Sequence, residues 1–405
     1  MDPELVFFNP LDRSVHADPY PQYRLLREHA PLYESPLGFW LLSRYDDITA
    51  ALRDPRMGHA MDETAVMLKT MVGPGTITID EFSRWMLFRD PPDHTRLRRL
   101  VSKAFTPRAV EVLRPRIQDI VNGLVGDLVA VLADGGVADL VEGLALPLPV
   151  TVISELLGLP AEDRAQAREW AEAVAQALDP IVTEEQAIRS DAAVMALTAY
   201  LKDVIAQRRR SPGSDLLSEL IAAEDEGGHL GESELISTVA LLFGAGHETT
   251  RNLIGNGMLA LMRAPAEMAR LRATPVMIRP AIEELLRYDS PVQNTGRVAK
   301  ADTQIGQWRI PKGQPVALIL GAGNRDPAVF DDPDRLDVGR PDVKPLSFGG
   351  GIHFCLGAML ARLEGMEAFT ALLSRAPEIE PATETLEWRP HITLRGLASL
   401  PVRAA

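Results

Sequence analysis

The chain reads as a mainly α protein with small embedded β-sheets, and three observations give that class. Apolar residues recur at helical spacing through Ile117–Leu132, Arg164–Leu178 and Ala187–Gln207, with proline, glycine and acidic turns between the blocks. The stretch Glu232–Met262 contains no proline and predicts one helix of about 30 residues, far longer than an average helix. From Arg297 to Leu320 the pattern turns strand-like: Thr303, Ile305, Trp308, Ile310 and Val316–Leu320 are punctuated by Gly306, Gly313 and proline.

Along the chain, small sheets are expected near residues 30–60, 297–320 and 378–402, set into a helix-rich body. A helix from about Val276 carries Glu283-Glu284-Leu285-Leu286-Arg287, and a second helix, Ala358–Leu373, follows the only cysteine. Ile392–Val402 predicts a closing strand-like region. No repeat, low-complexity linker or break in composition divides the 405 residues, so one domain over 1–405 is expected.

The formal charge of −14 argues against a nucleic-acid binder, because affinity for a phosphate backbone comes from a basic footprint. At the amino terminus, Met1–Pro21 carries Asp2, Glu4, Asp12, Arg13 and Asp18 around a brief apolar stretch at Leu5–Phe8. That stretch is too short for a signal segment or a membrane anchor, so a soluble cytoplasmic protein is expected. One cysteine excludes an intramolecular disulfide and a zinc site built on several thiolates. Cys355 is then a core thiol, a nucleophile or a lone metal ligand.

The segment Phe348-Gly349-Gly350-Gly351-Ile352-His353-Phe354-Cys355-Leu356-Gly357 places that cysteine where a glycine loop enters a helix. Consecutive glycines allow turns denied to other residues and let amide N–H groups approach a sulfur, while a helix amino terminus favours negative charge. A stabilised thiolate suits a soft metal or haem iron. A buried cysteine beside a loop is the commoner fate of a lone thiol, and a cysteine hydrolase lacks a histidine partner in any recognisable motif.

The spacing F-G-x-x-x-H-x-C-x-G resembles the haem-binding signature of the cytochrome P450 family. Three further segments resemble that family as well. Gly244-Ala245-Gly246-His247-Glu248-Thr249-Thr250, inside the long helix, is similar to its oxygen-activation motif, with Glu where Asp is commoner. Glu284 and Arg287 are similar to its E-x-x-R pair, and Phe330–Asp337 to the downstream meander that supplies an arginine, here Arg335. His94 and Arg98, four apart on one helical face, are similar to its H-x-x-x-R element.

The resemblance implies a cytochrome P450 fold, with a triangular helical body and a long central helix over the haem, and a haem-thiolate monooxygenase. It implies Cys355 as the axial ligand of haem b (iron protoporphyrin IX), with Phe348, Gly349, Gly357, Ala245 and Gly246 around the cofactor. His94, Arg98, Arg297 and His353 would bind the haem carboxylates through charge-assisted hydrogen bonds. Thr249 would stabilise the activated oxygen and order water, and Glu248 would belong to the proton relay. Glu284, Arg287 and Arg335 would form a structural triad on the cysteine side. The family's pocket positions correspond to Met86, Leu87, Leu241, Ala245, Val292, Asn294 and Ile392, mostly apolar, so a hydrophobic small-molecule substrate is expected. Gln293 or Asn294 offers a hydrogen bond to an oxygenated ligand.

The chain shows no flavin or dinucleotide fingerprint, so NAD(P)H-derived electrons are expected from a separate ferredoxin and ferredoxin reductase. Arg96, Arg98, Arg99, Lys103, Arg108, Arg114 and Arg116 enclose one acid, Glu111, and offer a patch for an acidic ferredoxin or an ordinary solvated face. A monomer that hydroxylates, epoxidises or dealkylates in secondary metabolism is the expected setting. The alternatives are a peroxide-driven haem enzyme and a non-catalytic haem-thiolate sensor. Neither makes evident use of Glu248 and Thr249 as an acid–hydroxyl pair.

Overall fold

The computed structural model describes residues 8–9, 12–36, 38–61, 76–103, 105–179, 182–222, 224–225 and 228–405. The amino-terminal apolar stretch Leu5–Phe8 lies outside them apart from Phe8. The chain forms two compact units, one of Met1–Gly58, Pro115–Leu148 and Thr249–Ala405, the other of His59–Arg114 and Pro149–Glu248. The long helix is continuous over Glu232–Arg263, about 48 Å at 1.5 Å per residue, and its residues are shared between the two. No helix among the described residues is long and apolar enough to cross a membrane.

In the larger unit a five-stranded sheet runs in the order Leu32–Glu34, Trp40–Leu42, Pro315–Leu318, Thr295–Ala299, Met57–Gly58. Val316 pairs with Trp40 in parallel and with Arg297 in antiparallel register, so distant segments of the chain meet at the centre of the sheet. One face of this sheet closes over Leu42, Ile48, Leu52, Ala299, Val316, Leu318 and Leu346, and Arg297 is buried on the same side of its strand as Ala299. Strands expected near 30–60 and 297–320 therefore share one sheet through nonlocal parallel pairing, while Thr303–Ile305 and Trp308–Ile310 pair in a two-stranded sheet of their own.

Three helical segments of the same unit pack together: the Thr249–Arg263 part of the long helix, Ile278–Tyr288 and Ala358–Arg375. Small residues set the spacing. A Cβ on Gly257 would come within 2.7 Å of Phe369, and one on Gly365 within 3.2 Å of both Leu253 and Ile282. Position 253 meets 365 and position 257 meets 369, so the two helices run in the same direction in step. Extending that step back one turn sets Ala361 level with Thr249, which brings Thr249 and the cysteine loop to the same end of the helix pair.

The closing strand-like region is shorter than its alternation suggests. A regular strand covers Pro401–Ala404, paired with Ile379–Pro381 and Ala138–Asp139, while isolated bridges join Val292 to Leu394 and Trp388 to Leu397. The carbonyls of Arg395, Leu397 and Ala398 accept from Asn256 and Arg251 of the long helix instead of from a strand. Gly396 permits this approach, since a Cβ there would lie 1.9 Å from Asn252 Oδ1.

In the smaller unit the helices Arg164–Gln176 and Glu184–Arg210 pack side by side. A capping box starts the second: Thr183 N–H donates to Gln186 Oε1 at 2.8 Å, and Gln186 N–H donates to Thr183 Oγ1 at 3.2 Å. Asp191 in turn accepts from the N–H and hydroxyl of Thr78, both at 2.8 Å, fixing the helix Thr76–Phe82.

Glu364 is buried on the packed face of the helix Ala358–Arg375, and burial pushes its carboxyl well above its ordinary value. The folded chain keeps this proton while the unfolded chain releases it near pH 4.5. Stability from this group is therefore complete below pH 4.5 and falls as pH rises toward the folded value, by about 1.4 kcal/mol per unit. Glu364→Gln removes that slope: its thermal midpoint is expected to decline less than the wild type's between pH 5 and pH 8. Parallel declines in the two proteins would contradict a proton held on Glu364.

Candidate active site

The cysteine loop is built by glycines that no other residue replaces. Gly349 and Gly351 adopt φ of +66° and +64°, and a Cβ on Gly351 would lie 2.1 Å from the Leu52 carbonyl oxygen. Between them a Cβ on Gly350 would lie 3.4 Å from the Leu52 side chain, so the loop runs close against the helix Tyr45–Arg53. Cys355 N–H donates to the Phe348 carbonyl at 2.9 Å, which closes the loop three residues before the helix Ala358–Arg375, whose N-cap is Gly357.

Cys355 is exposed, which removes the core-thiol reading. Ile352, Phe354 and Met359, near it in sequence, are exposed apolar side chains. Buried Arg297 and half-buried His353 belong to the same unit. A soft sulfur, apolar neighbours in sequence and basic side chains make a donor set that fits an anionic haem.

The segment before the loop is anchored by a chain of buried polar contacts. Ser347 Oγ donates to the Leu286 carbonyl at 2.7 Å and shares a 2.6 Å hydrogen bond with Ser290 Oγ. Asn324 Nδ2 donates to both hydroxyls, and its Oδ1 accepts from Leu346 N–H at 2.7 Å. From the helix side, Glu283 pairs with Arg362 at 2.5 and 2.9 Å, and the Arg362 guanidinium sits 4.3 Å from the Phe348 ring centre.

Glu284 and Arg287 form a bidentate pair at 2.7 and 2.8 Å with no exposed side-chain surface. The expected third member, Arg335, is not in the cluster. Its side chain is 56% exposed and pairs with Asp332 and Asp337, and only its carbonyl turns inward. Arg340 fills the place: its Nε donates to both Glu284 oxygens at 3.2 Å, Nη1 to the Asp331 carbonyl and Nη2 to the Asp332 and Arg335 carbonyls. The physical reason is the turn at Asp332, φ +44°, which sends Arg335 outward and brings the chain back at Arg340.

In the smaller unit, Glu248 and His247 are buried on the long helix, and Ala245 is exposed. Gly246 is required by contact: its Cβ would press on Ile153 at 3.1 Å. His247 Nδ1 lies 2.9 Å from the Phe243 carbonyl oxygen one turn earlier. His94 is buried on the helix Asp93–Ser102 and Arg98 half-buried. Along that helix Arg96 pairs with Glu234, while Arg99, Lys103 and Arg108 are exposed.

Leu87, Leu241 and Ala245 line a wholly apolar cavity of this unit. Trp85, Ala171, Val174 and Leu197, which the sequence reading missed, line it as well. Their signal was the spacing Ala171, Val174, Leu178, one face of a helix. Met86 instead packs into the core outside the lining. Val292, Asn294 and Ile392 belong to the larger unit, where Asn294 Nδ2 donates to the Ile392 carbonyl at 3.0 Å. Gln293 is buried there and donates to the Ser290 carbonyl at 2.7 Å.

The chain matches the family model "Cytochrome P450" over residues 75–274 and 276–394. It is 42% identical to the cytochrome P450 monooxygenase PikC of Streptomyces venezuelae, covering 99% of this chain and 94% of that protein. It is 41% identical to a vitamin D(3) 25-hydroxylase of Pseudonocardia autotrophica, over 95% of this chain and 93% of the relative. Among solved structures, the Bacillus subtilis polyketide synthase cytochrome P450 PksS superposes with TM-score 0.88 at 40% identity, covering 98% of this chain and all of that one.

Breaking a buried ion cluster leaves an uncompensated charge and costs about 3–5 kcal/mol, whereas an exposed pair contributes less than about 1 kcal/mol. Arg287→Ala and Arg340→Ala are therefore expected to lose most of their bound haem, measured as haem absorbance per protein, and Arg335→Ala to keep it. Haem loss in Arg335→Ala with retention in Arg340→Ala would restore the sequence-based assignment.

Proposed function

The chain belongs to the cytochrome P450 family and is a monooxygenase, and from that premise we propose that Cys355 is the thiolate ligand of haem b in an enzyme acting on a hydrophobic small molecule. One observation carries the reading: the single sulfur follows a glycine loop that Cys355 N–H closes on the Phe348 carbonyl, anchored from behind by a buried polar cluster. Bound haem supplies the redox centre for dioxygen, and a thiolate ligand favours O–O cleavage.

The chain's own groups have separable tasks. The loop amides and the following helix amino terminus stabilise the sulfur as an anion. Arg297 and His353, together with His94 and Arg98, serve as donors to the haem carboxylates. Phe348, Gly349 and Gly357 shape the loop, and Ala245 and Gly246 keep the helix surface low. Glu248 holds a proton in a water-poor setting, and the Thr249 hydroxyl passes it on through ordered water. Trp85, Leu87, Leu241 and Ala245 exclude water and favour an apolar substrate. Relatives named for polyketide biosynthesis and for 6-deoxyerythronolide B hydroxylation support a role in secondary metabolism.

Electrons come from a separate ferredoxin and its NAD(P)H-dependent reductase. The exposed cations Arg99, Lys103 and Arg108 steer that acidic partner. Charge reversal at the three is expected to flatten the salt dependence of electron transfer, and an unchanged dependence would remove the patch from docking.

Haem-loaded protein, reduced under carbon monoxide, is expected to give the thiolate-type absorption band, and a spectrum without it sinks the Cys355 assignment. In Thr249→Ala, electron use is expected to outrun product formation, with peroxide released. Full coupling in that variant would remove Thr249 from proton delivery.

A further inference from the structure

The helix Arg164–Gln176 and the Glu232–Glu248 part of the long helix belong to the same unit, and together they assemble three metal-ligating side chains. One ligand atom each from Glu172, His247 and Glu248 lies within 4.8 Å of the other two. A point therefore exists no more than about 2.8 Å from all three. Zinc bonds to imidazole nitrogen and carboxylate oxygen measure about 2.0–2.2 Å, a closure that side-chain torsions supply without moving the helices.

The histidine is already arranged for a metal. A carbonyl oxygen only accepts, so the 2.9 Å contact to Phe243 means that His247 Nδ1 carries the hydrogen and donates it. Nε2 then holds the lone pair, the tautomer that metal-binding histidines adopt when a backbone carbonyl fixes the other nitrogen. The Phe243 ring, 5.7 Å away between centroids, helps to hold the imidazole plane.

Burial decides what such a site would take. His247 and Glu248 are buried and Glu172 half-buried, so an ion would enter past Glu172. Two carboxylate oxygens in a water-poor space supply the negative charge that a buried divalent cation needs. One nitrogen with two oxygens suits a borderline ion such as zinc, whereas magnesium demands octahedral geometry and keeps its waters.

We propose that Glu172, His247 and Glu248 form a site for one divalent transition-metal ion of the zinc class, and that its occupancy silences oxygen activation. The silencing rests on Glu248 as the proton donor described above, because a carboxylate bound to metal has no proton to give. The binding itself does not rest on that reading.

Equilibrium dialysis of zinc against tag-free, haem-loaded protein, in excess magnesium, is expected to show one ion per chain. Glu172→Gln and His247→Gln should each weaken that binding by at least about tenfold. Zinc inhibition is then measured against each protein's own zinc-free rate, and Glu172→Gln should need a correspondingly higher zinc concentration. No stoichiometric binding, or equal affinity in wild type and both variants, overturns the site. Zinc that binds there and is lost in the variants, yet leaves wild-type turnover unchanged, overturns the silencing and Glu248 as donor while the site stands.

Discussion

The Glu284 carboxylate, wholly buried between two guanidinium groups, is the constraint on which the larger unit depends. Glu284 and Arg287 have no exposed side-chain surface and Arg340 very little, so removing one leaves the others charged in a medium that penalises charge. Arg287 spends its remaining donors on the carbonyls of Asn324, Pro333 and Arg335, and Arg340 on those of Asp331, Asp332 and Arg335. An irregular stretch without regular secondary structure is thereby held as firmly as a helix.

That rigidity reaches the sulfur through a short path. Asn324, positioned by Arg287, holds Leu346 and Ser347, and Ser347 is fixed again by the helix Ile278–Tyr288. The glycine loop begins there, so Cys355 acquires the fixed position that an axial ligand needs.

The long helix divides its work by residue type. Glycines 257 and 246 let neighbouring side chains approach its axis, Asn256 and Arg251 cap an irregular carboxyl-terminal segment, and Glu248 brings a carboxylate into a dry interior. The glycines and Asn256 weaken a helix taken alone. Packing against Phe369, Ile153 and the Gly396 turn compensates for that weakness.

Local chemistry was legible from the sequence. The proline-free run gave the 32-residue helix, the alternation after Arg297 gave strands, and the glycines before Cys355 gave the loop, because period and φ > 0 are properties of a few adjacent residues. What needed distance in space was not legible. Arg335 and Arg340 are five positions apart on an irregular segment, and nothing in the residues says which reaches Glu284; the turn at Asp332 decides it. Met86 and Leu87 are neighbours, yet only Leu87 lines the cavity, since a one-residue step in a tight turn reverses direction. Glu172 meets His247 and Glu248 only because two helices pack side by side, and packing depends on the whole chain's burial of apolar surface rather than on any motif.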